Sequence, residues 1–377
     1  MKVESISLWE ETFFQEFLEF RNKIHRDIVT SFPEELNDYS RYFAPTSPFA
    51  EDFNWRAFMI KEGELVLAKA ILCWRKGSAS GNLGFLDWEN HSDAAQLLIS
   101  EILTSAKKQS LKSIKTPVDL NFFVKYRIRV PGGREPFWGE PVYPDYYHEL
   151  FAKTGFVEVG RWDTYQIRKW EGIKDYLFKR KLLAKKPDGS HDKAKDKNLK
   201  TTIRCLKMSE WDSELKIIHD LFSTAYSSMP EYEPISFEQF KVVYDDFKYI
   251  LNPWLAYIVE LRGKPVGFSI NFADPLSVLA KVKGKKLNLL QKAVLLAKLR
   301  LNQSCFLISH VGKIPGPNGE EIKGVQIQVS KRIQFFITPM RKVLVTFQNV
   351  NSPSRRSFDP NLQDPYAQYV LYGIELE

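Results

Sequence analysis

The sequence predicts an α/β chain built from two successive halves, each a twisted mixed sheet with helices on its faces. Three observations predict it. The first half reads helix, hairpin, strand, helix, strand, helix, strand, an order that covers a mixed sheet with helices. The second half restarts that order near Thr201. The repeat also survives in residues. Asn54-Trp55-Arg56-Ala57-Phe58-Met59-Ile60 precedes Glu62-Gly63-Glu64-Leu65-Val66, and Asn252-Pro253-Trp254-Leu255-Ala256-Tyr257-Ile258-Val259 precedes Arg262-Gly263-Lys264-Pro265-Val266. Trp, Ala, an aromatic, the turn glycine and Val recur in order, the mark of a tandem duplication. A chain of 377 residues is long enough to bury two such cores.

Met1 to Glu4 runs straight into an amphipathic helix from about Ser7 to Ile24, with Phe13, Phe14, Phe17, Leu18 and Phe20 among its apolar positions. Pro33 and the Pro45-to-Pro48 stretch interrupt regular structure between that helix and the first strand. Arg56–Ile60 and Leu65–Trp74 form a hairpin about the Lys61–Glu64 turn. Gly84–Asp87 is a short strand, and Ser92 caps a helix from Asp93 to Lys108. Ser113-Ile114-Lys115 begins the next strand, and a Gly/Pro-rich excursion runs from Pro131 to Pro144. Tyr147, Leu150 and Phe151 then share one face of a short helix, which Gly155 closes in the left-handed C-cap position before strand Phe156–Val159.

The second half opens with strand Thr202–Leu206. Ser209 with Asp212 and Ser236 with Gln239 read as capping boxes for two helices. Leu276 to Leu301 mixes Leu and Val with Lys281, Lys283, Lys285, Lys286, Lys292 and Lys298, a basic amphipathic helix that either packs on its own core with its lysines solvated or lies on a membrane surface or over an apolar ligand. Strands Phe306–Val311 and Lys342–Phe347 come next.

The net charge is +8, and the Lys174–Lys207 segment carries that whole excess, with twelve Lys/Arg against four Asp. A globally basic nucleic-acid binder is therefore not expected. Residues 185–200 lack periodicity and read as a linker; 174–186 mixes aromatics with cations and reads either as a solvated basic linker, the default for such a segment, or as one suited to an anionic membrane surface. The three cysteines are odd in number and far apart, which fits a reducing cytoplasm. No signal peptide and no membrane-spanning run is expected. The six histidines are isolated, so no metal is expected.

The two halves, the Gly263-Lys264-Pro265-Val266-Gly267 hairpin and the Tyr146-Tyr147 helix ending in Gly155-Phe156 together resemble a bacterial double-GNAT family of acyl-CoA N-acyltransferases. The resemblance covers most of the chain and is best in the first half, at Pro48-Phe49, the Arg56–Leu72 hairpin, Gly84-Phe85-Leu86-Asp87 and Pro141-Val142-Tyr143-Pro144-Asp145-Tyr146-Tyr147. Some relatives in that group are bacterial ceramide synthases, which move a fatty acyl group from a thioester to the amine of a long-chain base.

The resemblance implies tandem GNAT domains at 1–170 and 201–377 joined by a basic linker at 171–200. It implies a cytoplasmic enzyme, peripheral to the inner membrane through 174–186 and 281–300. The co-substrate would be acetyl-CoA or a longer acyl-CoA, and the acceptor an amine, small or lipid. GNAT enzymes grip the CoA pyrophosphate on a Gly-rich loop opening a helix, where backbone N–H groups face the anion. The first-half equivalent, Trp88–Ser92, has no glycine. In the second half Glu321-x-x-Gly324-x-Gln326 occupies that place, and only Gly324 fits the pattern. Val311, Lys313, Gly319, Lys323 and Gly324, with Asn351 and Ser352 after the fifth strand, are the implied cofactor contacts. His310, Glu320 and Glu321 are candidates for the base, and Tyr146 and Tyr147 for substrate shaping and thiolate protonation. The alternative is a non-catalytic tandem scaffold that binds a lipid or protein.

Overall fold

In the computed structural model, residues 1–167, 201–229, 231–283, 285, 288–300, 304–319, 342–351 and 364–376 are described. The first half opens with strand β1 (Lys2–Ile6), helix α1 (Glu11–Ile24) and helix α2 (Leu36–Phe43). Strands β2 (Phe53–Glu62), β3 (Leu65–Arg75) and β4 (Ser80–Trp88) come next, then α3 (Ser92–Lys108) and β5 (Ser113–Thr116). Short strands β6 (Val118–Asp119), β7 (Lys125–Tyr126) and β8 (Ile128–Arg129) lead to α4 (Tyr146–Lys153) and β9 (Val157–Gln166).

The second half contains β10 (Thr201–Cys205), α5 (Trp211–Ala225), α6 (Phe237–Tyr244), α7 (Phe247–Ile250), β11 (Ala256–Leu261) and β12 (Lys264–Ala273). It continues through α8 (Leu276–Leu279), α9 (Leu289–Arg300), β13 (Phe306–Lys313), β14 (Val343–Asn349) and β15 (Ala367–Glu375).

All but β6 and β7 join one sheet, in the order β1-β2-β3-β4-β5-β15-β9-β14-β13-β12-β11-β10, with β8 beside β15. Four antiparallel strands and one parallel pair recur on each side. The middle is exchanged. β15, from the end of the second half, lies between β5 and β9 of the first, pairing Ile374 with Ile114 and Tyr369 with Trp162. β9 in turn pairs with β14, Leu344 opposite Gln166. Each half thus receives its sixth strand from the other. One apolar core spans both, from Phe14, Phe17 and Phe43 to Phe222, Phe240 and Phe268.

Several expectations hold. Gly63 and Gly263 turn their hairpins with φ of 57° and 77°, and Gly155 ends α4 with φ 87°. Ser236 and Gln239 form the reciprocal capping box of α6.

Others are corrected. Lys2–Ile6 is an edge strand on β2 rather than a lead-in to helix, and Lys61 Nζ meets Glu4 at 2.9 Å across that pairing. Helix α2 is an addition. It starts from a Glu35–Asp38 box, the same reciprocal geometry without Ser or Thr. His91, not Ser92, caps α3, its Nδ1 accepting the Ala94 N–H at 3.2 Å. A 3-10 turn at Met208–Glu210 moves the start of α5 to Trp211 and its N-cap to Glu210, so Ser209 sits one residue too early to cap it. The basic stretch from Leu276 is two helices, α8 and α9. The sequence between them contains Gly284, a poor helix former.

Candidate functional site

The parallel pairs β4/β5 and β13/β14 each start in register and then part. In the second half the pairing runs from Phe306–Val343 to Ile308–Val345 and stops. The Thr346 hydroxyl donates to the Ile308 carbonyl at 3.2 Å, and β14, which keeps its pairing with β9, shifts register there through Phe347, at φ 53°. Ser309–Lys313 and Thr346–Asn349 diverge and face a cleft of roughly 1850 Å³. Its walls come from both halves: the stretch Phe122–Arg127, Phe137–Val142 and Gly160–Trp162 on one side, and Tyr226, Glu231, Tyr244 and Phe272 on the other.

The first-half counterpart is closed by the chain itself. The Val118 carbonyl fills the gap so tightly that a Cβ on Gly84 would lie 2.1 Å from it. Three backbone donors that would face a ligand there are taken. Asp119 Oδ1 accepts the Phe85 N–H at 2.5 Å, the Tyr147 hydroxyl accepts the Trp88 N–H at 3.2 Å, and His91 takes that of Ala94.

Tyr147 also donates to Asp87 Oδ1 at 3.1 Å, and Asp87 is the hub of a buried network. Lys69 Nζ lies 2.8 Å from Asp87 Oδ2, and His25 Nε2 lies 2.6 Å from Oδ1. Burial works to raise the Asp87 carboxyl, but Lys69 and His25 outweigh it and hold it well below the usual carboxylate range. The Tyr146 hydroxyl donates to the Trp88 carbonyl at 2.7 Å. Both tyrosines therefore brace β4, and neither lines the cleft.

Of the sequence candidates, His310, Val311, Lys313 and Asn351 are brought together on the cleft wall. Gly319 lies on an exposed turn outside it. Glu320, Glu321, Lys323, Gly324 and Ser352 fall outside the described residues, as do the 174–186 segment and the helix expected after Gly324. His310 is paired with Ile270 of β12, at the point where the β12–β13 register shifts. Its Nδ1 lies 2.9 Å from the Ser309 hydroxyl, and its ring is 5.5 Å from that of Phe222. Burial, aided by Arg127, pushes the imidazole down to about 4, so it is neutral at pH 7.

Residues that sequence reasoning passed over also line the cleft. The Tyr226 hydroxyl donates to the Val311 carbonyl at 3.3 Å, and burial raises the phenol above its ordinary range. Burial lifts Glu140 to about 7, against the opposing pull of Arg129 at 3.1 Å and the Tyr369 hydroxyl. The sequence signal for this wall was the aromatic–cation interleaving of Phe122-Phe123-Val124-Lys125-Tyr126-Arg127. Among the described residues, no group of three or more His, Cys, Asp or Glu is placed to hold a metal, and no helix is long and apolar enough to cross a membrane.

A mixed sheet whose fourth and fifth strands run parallel and then part, once in each half, is the tandem GNAT fold. No family model matches the chain. Protein YghO of Escherichia coli (strain K12) is 19% identical over 279 residues, covering 71% of this chain and 67% of that protein. Among solved structures, a tandem GNAT protein from the clavulanic acid biosynthesis pathway (without AcCoA) aligns over 100% of this chain and 99% of its own, at 12% identity and a TM-score of 0.47. GCN5-related N-acetyltransferases from Sphaerobacter thermophilus (9% identity, 100% and 96% coverage) and Anabaena variabilis ATCC 29413 (11%, 100% and 73%) give TM-scores of 0.45 and 0.49. All three scores lie below 0.5, so the fold assignment rests on the strand order of the chain itself.

Proposed function

We propose that the chain is an N-acyltransferase that moves an acyl group from a thioester to an amine in the second-half cleft. One observation carries this reading: β13 and β14 part onto an open, two-sided cleft, whereas the matching first-half gap is filled by Val118. In the reaction, the acceptor's ammonium first gives one proton to water, and the neutral amine then attacks the thioester carbonyl carbon. The N–C bond forms, charge collects on the oxygen beside the backbone N–H groups of β13, and the C–S bond then breaks. The amine's proton passes to His310 or water. An imidazole this weakly basic does not retain a proton, so it acts as a relay. Tyr226, protonated at neutral pH and beside Val311, is placed to donate to the departing thiolate.

The donor in this reading is acetyl-CoA or a longer acyl-CoA, with Lys313 and Asn351 at the cleft mouth as contacts for its polar part. The tandem domains at 1–170 and 201–377 then divide the work, the first shaping the acceptor side. Two observations support an acceptor with an apolar body, a lipid amine included. The cleft is lined by Phe122, Phe123, Phe247 and Phe272, and α9 holds Leu289 and Leu290 at 85% and 74% exposure beside Lys285 and Lys292. That helix would lie on an anionic membrane surface.

A non-catalytic scaffold is the second reading. The feature favouring it is the weak basicity of His310, which leaves β13 without a strong base.

The test is calorimetry with acetyl-CoA and palmitoyl-CoA, combined with amide exchange. Binding of either, with protection concentrated in 309–313 and 346–351, is expected. Binding of palmitoyl-CoA alone would mark a long-chain donor. Failure of both to bind would overturn the thioester reading.

A further inference from the structure

Arg127 is a buried cation in the cleft wall with an unused donor. The residue is 8% exposed, its Nη1 has no hydrogen-bond partner, and it forms no ion pair among the described residues. Its position is held from both sides. The backbone sits in the left-handed region at φ 71°, tied by the Arg127 N–H to the Pro117 carbonyl at 2.9 Å. The guanidinium is packed among the rings of Tyr126, Phe347 and Trp162, at 3.8, 4.3 and 5.0 Å from their centroids. Packing of this kind fixes the plane of the fork, and its unpartnered Nη1 calls for an in-plane acceptor. A guanidinium stays charged at any ordinary pH, and a buried charge calls for a counter-ion.

Within the structure the acid acting on it is Glu231. That side chain lines the same cleft, and its Oε2 is likewise buried without a partner. The two attract one another but are not in contact. Two opposite charges, each with a buried unused valence and each on a residue that lines one cavity, match a ligand that carries both signs.

We infer that the acceptor amine bears an anionic group, a carboxylate or a phosphate, that seats on Arg127 while its ammonium end faces Glu231. The word acceptor rests on the N-acyltransfer reading; the binding site for a zwitterionic amine does not. An acceptor of this kind still accommodates an apolar body against Phe122 and Phe247.

The test measures acceptor binding without thioester, so its outcome is independent of the thioester calorimetry. Saturation-transfer NMR would compare α-amino acids with their amides and decarboxylated amines, and O-phosphoethanolamine with ethanolamine. The expected result is affinity about tenfold or more higher for the anion-bearing member of a pair. Arg127→Met should erase that preference and Arg127→Lys should retain part of it. Preference within the amino-acid pairs identifies a carboxylate, and preference for phosphoethanolamine a phosphate. Equal binding within each pair, a preference that survives Arg127→Met, or no saturable binding of any anion-bearing probe would overturn the inference. If Arg127→Met does not fold, the wild-type pairs decide it alone.

Discussion

The Asp119 carboxylate accepts the Phe85 N–H at 2.5 Å, so the first half satisfies with its own side chain the kind of donor that a thioester carbonyl would use. Asp119→Ala would orphan that N–H. The expected cost is about 1–3 kcal/mol of stability, seen as a lower urea midpoint. Asp119 lines the first-half wall of the cleft, but the strands proposed to hold the thioester, β13 and β14, belong to the second half, so thioester affinity should change little. A large loss of affinity would place a donor site in the first half after all.

Tyr147 offers a sharper contrast between bracing and chemistry. Removing its hydroxyl with Tyr147→Phe strips a partner from buried Asp87 and from the Trp88 N–H. Stability should fall by about 1–3 kcal/mol. Turnover of the folded protein should stay within about twofold, whereas loss of an acid–base group typically costs 10²-fold or more. A turnover loss on that larger scale would restore Tyr147 to the catalytic machinery.

His310 gives a pH signature with a definite sign. Its imidazole titrates near 4 in the folded chain, against an ordinary value of 6.5. Between those values the unfolded chain takes a proton that the folded one refuses. Stability should therefore be full above about pH 6.5 and fall as the pH drops toward 4, by up to about 3 kcal/mol. Denaturant titrations of wild type and His310→Gln at pH 7 and pH 4.5 would check this, and the variant should show the smaller loss.

Glu140 works in the opposite direction. Its carboxyl titrates near 7 when folded and has an ordinary value of 4.5. Here the folded chain holds the proton longer, so the contribution is full below about pH 4.5 and is lost as the pH rises through 7. The stability of wild type relative to Glu140→Gln should thus decline between pH 5 and pH 8. A flat difference across that range would mean that Arg129 and Tyr369 compensate the ionised form completely.

Local features were the most legible. The Gly155 cap, the Ser236–Gln239 box and the paired hairpin glycines depend on a few adjacent residues, and each appears where its chemistry places it. The Glu35–Asp38 box escaped because it uses carboxylates in both roles. The exchange of β9 and β15 was not legible. Alternation in a strand tells which face is buried but not which strand lies alongside. The cleft wall was hidden for a related reason: Arg127, Glu140, Tyr226 and Glu231 come from separate stretches that only the assembled sheet brings together. Of the expected second-half contacts, His310, Val311, Lys313 and Asn351 meet there because they flank two strands that part.

The exchanged strands also set a schedule for biosynthesis. Among the described residues, β5 finds its antiparallel neighbour only in β15, a segment that leaves the ribosome after the other described strands of the second half. Until then the first half must wait with an open sheet edge in its middle, an invitation to pair with the wrong strand. The closing strand is also the one that borders β9, which leans on β14 and the cleft. Completion of the sheet and completion of the cleft walls are thus one late event, and a nascent chain has no finished site to present before it.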